Sequence, residues 1–429
     1  MKKMFSLLCC LLLGAAAVSG QDRDTVAGIP VNYDELKVGD YKLGLPDPLV
    51  FKNGRPVKNV RQWKKRRAEI VRLFEDNQYG RWPAKKPALR YDVEQDLGFD
   101  GTAVRKQITL YFSEFNDGPR VDVLVYLPKD AVGPTPILLN LSFSANNMVV
   151  GDPGVKPGRR WDPQSRTMVE TPSMRMPGPN PFGMDATVKK YLQAGFGFAT
   201  LCYTDIPPDF QDNDELGLRG LYHTPGAPRA EDDWGSISAW ALGVSRLMDY
   251  FEKDPDIDAK RVALTGCSRL GKTTIWTGAI EPRIKVVMPS CSGEGGAAIS
   301  RRNYGETVAH LTEPTRFPYQ FCPKYGYWGD KVHEMPVDAN LLVALIAPRP
   351  LLLQTGSTDI WSDPMGEWLA LIEARKVYQM FGKDVPAGDE LPAADQPIYT
   401  TLGFVMHEGG HGIQPQDWDY YLEFMKRHL

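Results

Sequence analysis

The chain has 429 residues, a formal net charge of −3, 42% hydrophobic residues and 24% charged ones. That is an ordinary globular composition, long enough to bury a large core without disulfide or metal staples. Neither the charge nor any Lys/Arg run points to a nucleic-acid partner. Beyond the N-terminus no segment reaches about 18 uninterrupted apolar residues, so no membrane span is expected.

In chain order, the first 20 residues stand apart. Lys2 and Lys3 precede an apolar run from Phe5 to Val18, and Val18 and Gly20 are small residues before Gln21. This is the pattern of a secretory signal peptide at 1–20, so a periplasmic or secreted protein is expected. Cys9 and Cys10 leave with it. Cys202, Cys267, Cys291 and Cys322 remain, can pair in three ways, and fit no common zinc spacing. Residues 21–429 read as one catalytic domain with a loop-rich lead-in to about Lys86, which carries a helical stretch around Gln62–Glu75. Strand candidates follow at Gln107–Phe112, Val121–Leu127, Ile137–Phe143, Phe196–Tyr203, Val262–Thr265, Val286–Pro289, Leu351–Thr355 and Ile398–Val405. Several are continuous apolar runs, as strands covered on both faces require. Between them, Trp234–Phe251 carries Ile237, Trp240, Ala241, Val244, Leu247, Met248 and Phe251 at helical spacing. Such alternation predicts an α/β fold, a mostly parallel central sheet flanked by helices. Gly151–Met184 is rich in Gly, Pro, Arg and Met without periodicity. It reads as an insertion lying over the carboxyl edge of the sheet, where ligands bind in such folds.

The stretch from Arg261 to Lys272 runs from a short apolar strand through Gly266-Cys-Ser268 directly into a helical segment. This is the pattern of a nucleophile elbow, which lifts a serine hydroxyl clear of the sheet. The spacing is G-x-S-x-x-G instead of the commoner G-x-S-x-G. An N-capping serine at a strand–helix junction is the bland alternative. Downstream, Leu351–Gly356 ends in a turn leading to Asp359, and Ile398–Met406 leads into Glu408-Gly-Gly-His411. Serine, acid and histidine thus follow in the α/β-hydrolase order, with Ser268 as nucleophile, Asp359 as acid and His411 as base. His407-Glu-Gly-Gly-His411 also matches the H-E-x-x-H zinc-protease motif, but two glycines and Pro415 oppose the helix that this site needs.

With these residues in hand, the chain resembles the glucuronoyl esterases, carbohydrate esterase family 15, in their bacterial form. The resemblance rests on Gly266-Cys-Ser-Arg-Leu-Gly-Lys272, Ser292-Gly-x-Gly-Gly-Ala-Ala, Ser300-Arg-Arg, Gly305-Glu306-Thr, Trp234-Gly-x-x-x-Ala-Trp240 and Asp359-x-Trp361. It spans about residues 45 to 425. It implies an α/β-hydrolase fold and cleavage of the ester joining 4-O-methyl-glucuronic acid on xylan to lignin alcohols. It further implies that Arg269 stabilises the oxyanion and that Lys272, Glu306 and Trp361 hold the uronate. Fungal members carry a triad glutamate where this chain has Cys291, which leaves the acid to Asp359, with Asp363 as second candidate. Glu294 lies three residues past the family's glutamate position, which is Cys291 here. The stretch Asn140–Asn147 matches the family only loosely.

The expected reaction is acyl transfer through Ser268 without metal or organic cofactor, on a glucuronoxylan or lignin–carbohydrate ester, by a monomer. A related esterase such as an acetyl xylan esterase, and an inactive glycan-binding homologue, are the alternatives. Cys267 and Cys291 end neighbouring strand candidates, so they are either a bridge or two buried thiols.

Overall fold

The computed structural model describes residues 24–171 and 183–429. The signal peptide expected at 1–20, and residues 172–182 of the expected insertion, lie outside the described residues. Nine strands form the main sheet: β1 (Arg90–Gly98), β2 (Ala103–Tyr111), β3 (Arg120–Pro128), β4 (Thr135–Ser142), β5 (Gly197–Cys202), β6 (Ile257–Cys267), β7 (Val286–Ser290), β8 (Leu351–Gly356) and β9 (Leu402–His407). Their spatial order is β1-β2-β3-β5-β4-β6-β7-β8-β9. β5, β4 and β6 to β9 run parallel, while β1, β2 and β3 add antiparallel pairs at one edge.

The apolar runs of the parallel strands follow from cover on both faces. Ile137 and Leu139 of β4, Val262 and Leu264 of β6, and Leu351 and Leu353 of β8 face one apolar layer. Their alternates Leu138, Ala263 and Leu352 face the other. Helices α1 (Val60–Phe74), α3 (Ser236–Phe251), α4 (Arg269–Ile280) and α5 (Pro364–Met380) fill the first layer. Helices α2 (Asp185–Gln193) and α6 (Asp417–His428) fill the second. α1 begins where the Asn59 side chain accepts from the Gln62 amide, and it buries Trp63, Arg66, Ile70 and Phe74 along one stripe. Each large apolar side chain on that stripe contributes about 1.5–3 kcal/mol by leaving water. α3 buries nearly its whole circumference because the sheet lies on one side of it and the lead-in on another: Trp82 Nε1 donates to Ser238 O. The result is the architecture of α/β hydrolases.

Three expectations change. β1 has no apolar run to announce it, because residues Tyr91 to Leu97 of this edge strand are exposed. The run Ile398–Val405 is divided. Thr401 turns toward Asp384, so only Leu402 onward joins the parallel sheet, while Ile398 folds back antiparallel onto Phe404. The aperiodic insertion contains a hairpin, Gly158–Asp162 with Thr167–Thr171, whose turn places Arg166 at φ +54°. The hairpin does lie at the carboxyl edge: Gly158 N donates to Asn147 just past β4, and Arg159 meets Asp122 beside the end of β5. Among the described residues, no helix is long and apolar enough to cross a membrane.

Candidate active site

β6 delivers Ser268 between its last residue, Cys267, and the first residue of α4. Ser268 sits at φ 60°, ψ −125°, a conformation that costs a non-glycine residue about 1–3 kcal/mol and persists only where its surroundings impose it. Here the Ser268 amide donates to Ser290 O at 2.9 Å, and Ser268 O accepts from the Lys272 amide at 3.0 Å. The unusual glycine spacing has a packing cause. A Cβ on Gly271 would stand 2.4 Å from Ser290 O, so the first turn of α4 docks on the end of β7 only with glycine at that position. That turn also directs unpaired backbone amides toward the centre where negative charge would develop.

The loops after β8 and β9 are laced together. Thr358 N donates to Gly409 O at 2.8 Å, Ser357 N to His407 O at 2.9 Å, and Gly409 N to Ser357 Oγ at 3.0 Å. Gly409, at φ +134°, supplies the bend. His411 Nδ1 consequently lies 2.7 Å from Asp359 Oδ2, with Ser362 Oγ at 3.2 Å. The imidazole is open to solvent, whereas the Asp359 side chain is 3% exposed. Burial pushes the Asp359 carboxyl up, but its hydrogen bonds from His411 and Ser362 outweigh this and leave it below the ordinary aspartate value. Burial pulls His411 down, and Asp359, with Cys267 next to it, more than reverses that. Cys267, next to the nucleophile, is a free thiol whose pKa is lowered by the neighbouring Cys291 and His411. The Ser268 amide is bonded to Ser290 O, one residue before Cys291, whose sulfur lies within 4.8 Å of the His411 and Asp359 atoms, so the elbow adjoins the His411–Asp359 pair.

The other acid candidate has separate commitments. Asp363 caps α5 through the Gly366 amide at 2.9 Å and accepts from Arg302 Nε at 2.7 Å. Burial raises it to about 6, partly offset by Arg302. Glu294 accepts from Ser300, Tyr325 and the Gly295 amide. Cys291 stands beside the triad: its thiol contacts Gly412, and its sulfur lies with an Asp359 oxygen and a His411 nitrogen, all within 4.8 Å of one another. All four described cysteines are free thiols, so Cys267 and Cys291 are not bridged. The H-E-x-x-H stretch is a turn. His407 ends β9, fully buried against Asp417 at 2.8 Å and Gly410 O at 2.9 Å, so the two histidines share no helix face.

Lys272, Glu306 and Trp361 come together. Lys272 Nζ is 3.7 Å from Glu306 Oε2, and the Glu306 amide donates to Trp361 O at 2.9 Å. Arg316, which no motif announced, donates to Glu306 Oε1 at 2.8 Å and stands 5.4 Å over the Trp361 ring. Arg269 is ion-paired to Asp209, with the Phe317 ring 4.7 Å from its guanidinium. Burial lowers its pKa, but Asp209 and the neighbouring tyrosines raise it further, so it stays cationic. Asp209 was equally silent in the sequence. The one local signal is Pro207-Pro208 before it, a stiff loop at the carboxyl edge. A strained serine, a histidine held by a buried carboxylate and a fixed cation beside them are the parts of acyl transfer.

A family profile described as "Glucuronyl esterase, fungi" matches residues 166–382. A carbohydrate esterase of an unknown prokaryotic organism is 38% identical over 93% of this chain and 92% of its own length. The 4-O-methyl-glucuronoyl methylesterase of Schizophyllum commune is 26% identical over 89% of this chain and 82% of its own. Among solved structures, a glucuronoyl esterase from Solibacter usitatus superposes with a TM-score of 0.84 at 40% identity, covering 92% of this chain and 99% of that one. A structure described as a promiscuous CE15 esterase from a marine bacterial metagenome gives 0.84 at 37% identity over 93% and 100%.

Proposed function

Since the chain belongs to the glucuronoyl esterases of carbohydrate esterase family 15, we propose that it hydrolyses 4-O-methyl-glucuronoyl esters through an acyl-enzyme on Ser268. The observation that carries this reading is the 2.7 Å contact of His411 with buried Asp359, beside a serine held in the strained elbow conformation. Asp359 accepts from Nδ1 and so leaves Nε2 free to take the Ser268 proton. The hydroxyl attacks the uronate carbonyl. Arg269 and the first amides of α4 then meet the charge that develops on oxygen. The alcohol leaves with the proton held by His411, and water repeats the sequence on the acyl-enzyme. Lys272 and Glu306 offer a donor and an acceptor to the ring hydroxyls, and the Trp361 indole offers an apolar wall.

The leaving alcohol in this reading comes from lignin and the acid from glucuronoxylan. The enzyme is a monomer exported by the peptide at 1–20. Methyl and benzyl glucuronate are the test substrates, each assayed with and without chelator. Ser268→Ala is expected to abolish turnover of both, and chelation to leave the wild type unchanged. Activity retained by Ser268→Ala, or lost on chelation, would overturn the mechanism. A second reading, broader ester specificity, is favoured by the similarity to the CE15 esterase described as promiscuous. Hydrolysis of acetylated xylan at a rate comparable with the glucuronate would establish it.

A further inference from the structure

Arg269 is the first residue of α4, next to the nucleophile, on a long stem whose rotamer freedom would ordinarily spread the guanidinium over several positions. In this protein it is clamped, and the clamp is assembled from loops far apart in sequence. After β5 the chain passes through Tyr203 and Asp205 to Pro207-Pro208-Asp209. The two prolines have fixed φ, and the loop is nailed down on either side. Trp240 Nε1 of α3 donates to Pro207 O at 3.1 Å, Asn213 Nδ2 to Pro208 O at 2.5 Å, and the Leu218 amide to Ile206 O at 2.7 Å.

Asp209 emerges from this rigid loop with 6% of its side chain exposed. One carboxylate oxygen, Oδ2, accepts from Arg269 and from the Tyr203 hydroxyl at 2.5 Å. The other, Oδ1, accepts from the Tyr319 hydroxyl and the Gln320 amide, both at 2.8 Å. Four donors fill the four lone-pair sites of a carboxylate, so it cannot turn. Burial, followed by the charge of Asp209, holds both tyrosines well above the ordinary phenol value, so they remain donors throughout the working pH range. The second loop is tied to the first, because Gln211 Nε2 donates to Pro314 O and Arg316 O. It also brings Phe317 over the guanidinium.

We infer that Asp209 is the positioning residue for Arg269, fixing one edge of the guanidinium while Phe317 holds its face, so that its remaining N–H groups are aimed before substrate arrives. This rests on the reading of Arg269 as the oxyanion-stabilising cation. With its side chain 6% exposed and its oxygens taken by four protein donors, Asp209 has no lone pair left to offer a substrate. Its pairing with Arg269 is neutral overall, so what it supplies is geometry. Preorganised donors act on the transition state without reorganisation, and a donor left to wander loses that advantage. The loss should fall on kcat, because the ground-state ester carries little charge for Arg269 to hold.

The test is a double-mutant cycle on methyl glucuronate with Asp209→Asn and Arg269→Gln. Arg269→Gln alone should lower kcat by about a hundredfold, as for other lost oxyanion donors. Asp209→Asn, which keeps the shape and one acceptor oxygen, should lower kcat about tenfold with KM within about twofold. In the Arg269→Gln background, Asp209→Asn should cost nothing further. Tyr319→Phe, which removes one donor to Oδ1 without touching Arg269, should show a smaller loss that likewise vanishes in that background. This variant decides the matter if Asp209→Asn folds poorly. If Arg269→Gln is as active as the wild type, the oxyanion assignment falls and this inference with it. If Arg269→Gln is impaired but Asp209→Asn or Tyr319→Phe lowers kcat by the same factor in both backgrounds, only the positioning role is overturned.

Discussion

Replacing Asp359 by Asn removes one charge and little volume from a site where both can be accounted for. The lost contact is a 2.7 Å hydrogen bond from His411 Nδ1 to a carboxylate whose side chain is 3% exposed. A charged hydrogen bond of that kind contributes about 1.5–3 kcal/mol, which is roughly ten- to a hundredfold in rate at 1.36 kcal/mol per decade. The tautomer adds to this. An Asn amide facing Nδ1 would donate to it and move the ring proton to Nε2, where it blocks acceptance from Ser268. In the trypsin triad the corresponding change costs about 10⁴ in kcat. Here Ser362 Oγ, 3.2 Å from Nδ1, can still accept from the productive tautomer. The expected loss for Asp359→Asn is therefore about 10²–10⁴, with a further fall on adding Ser362→Ala. The pH profile is a second readout. Asp359 and Cys267 hold His411 above its ordinary value, and the base works only when neutral, so the acid limb of kcat/KM should lie on the alkaline side of a free histidine. Asp359→Asn should move that limb to lower pH. The assay is kcat/KM on methyl glucuronate from pH 5 to 10, with urea unfolding to confirm a native protein. A loss under tenfold, or an unmoved limb, would refute the assignment of Asp359.

Asp363→Ala should behave in the opposite way. It leaves the buried Arg302 without its internal partner and removes the α5 cap, so urea denaturation should show a loss of about 3 kcal/mol while the folded fraction keeps its kcat. A kcat loss matching that of Asp359→Asn would reverse the ranking. Lys272→Ala should reduce kcat/KM on methyl glucuronate by about ten- to a hundredfold and barely affect a small acetate ester; equal losses on the two would remove Lys272 from substrate recognition. Glu294→Gln tests a buried carboxyl. Burial raises Glu294 from 4.5 to about 8, so between those values the folded chain holds a proton that the unfolded chain has released, and stability falls as pH rises. Gln retains the acceptor for Ser300 and Tyr325, so urea midpoints of the variant should decline less from pH 5 to 8 than those of the wild type. Parallel profiles would count against a neutral Glu294.

Much of the architecture was legible because it is enforced locally. A strand covered on both faces is a nearly continuous apolar run, so β4 to β8 announced themselves, as did the helix at Trp234–Phe251. The elbow was readable because a strand entering a helix through serine needs glycine beside it, and Gly271 is required by the close approach to Ser290 O. The order of Ser268, Asp359 and His411 along the chain followed from the order of the strands that carry them. β1 escaped notice because an exposed edge strand carries no such constraint.

What tertiary structure alone decided lies between segments. Asp359 and Asp363 are four residues apart and chemically alike. The lacing of the β8 and β9 loops gave His411 to the first, and Arg302, arriving from 61 residues upstream, claimed the second. Asp209 reached Arg269 across 60 residues, and Arg316 reached Glu306 through a loop without any motif. The physical reason is the range of the forces involved. Burial and backbone geometry act on each residue and its immediate neighbours, so they leave a periodic trace in the sequence. Pairing between a carboxylate and a cation depends on which loops the finished sheet brings within about 3 Å, and nothing in the sequence around either partner records that meeting.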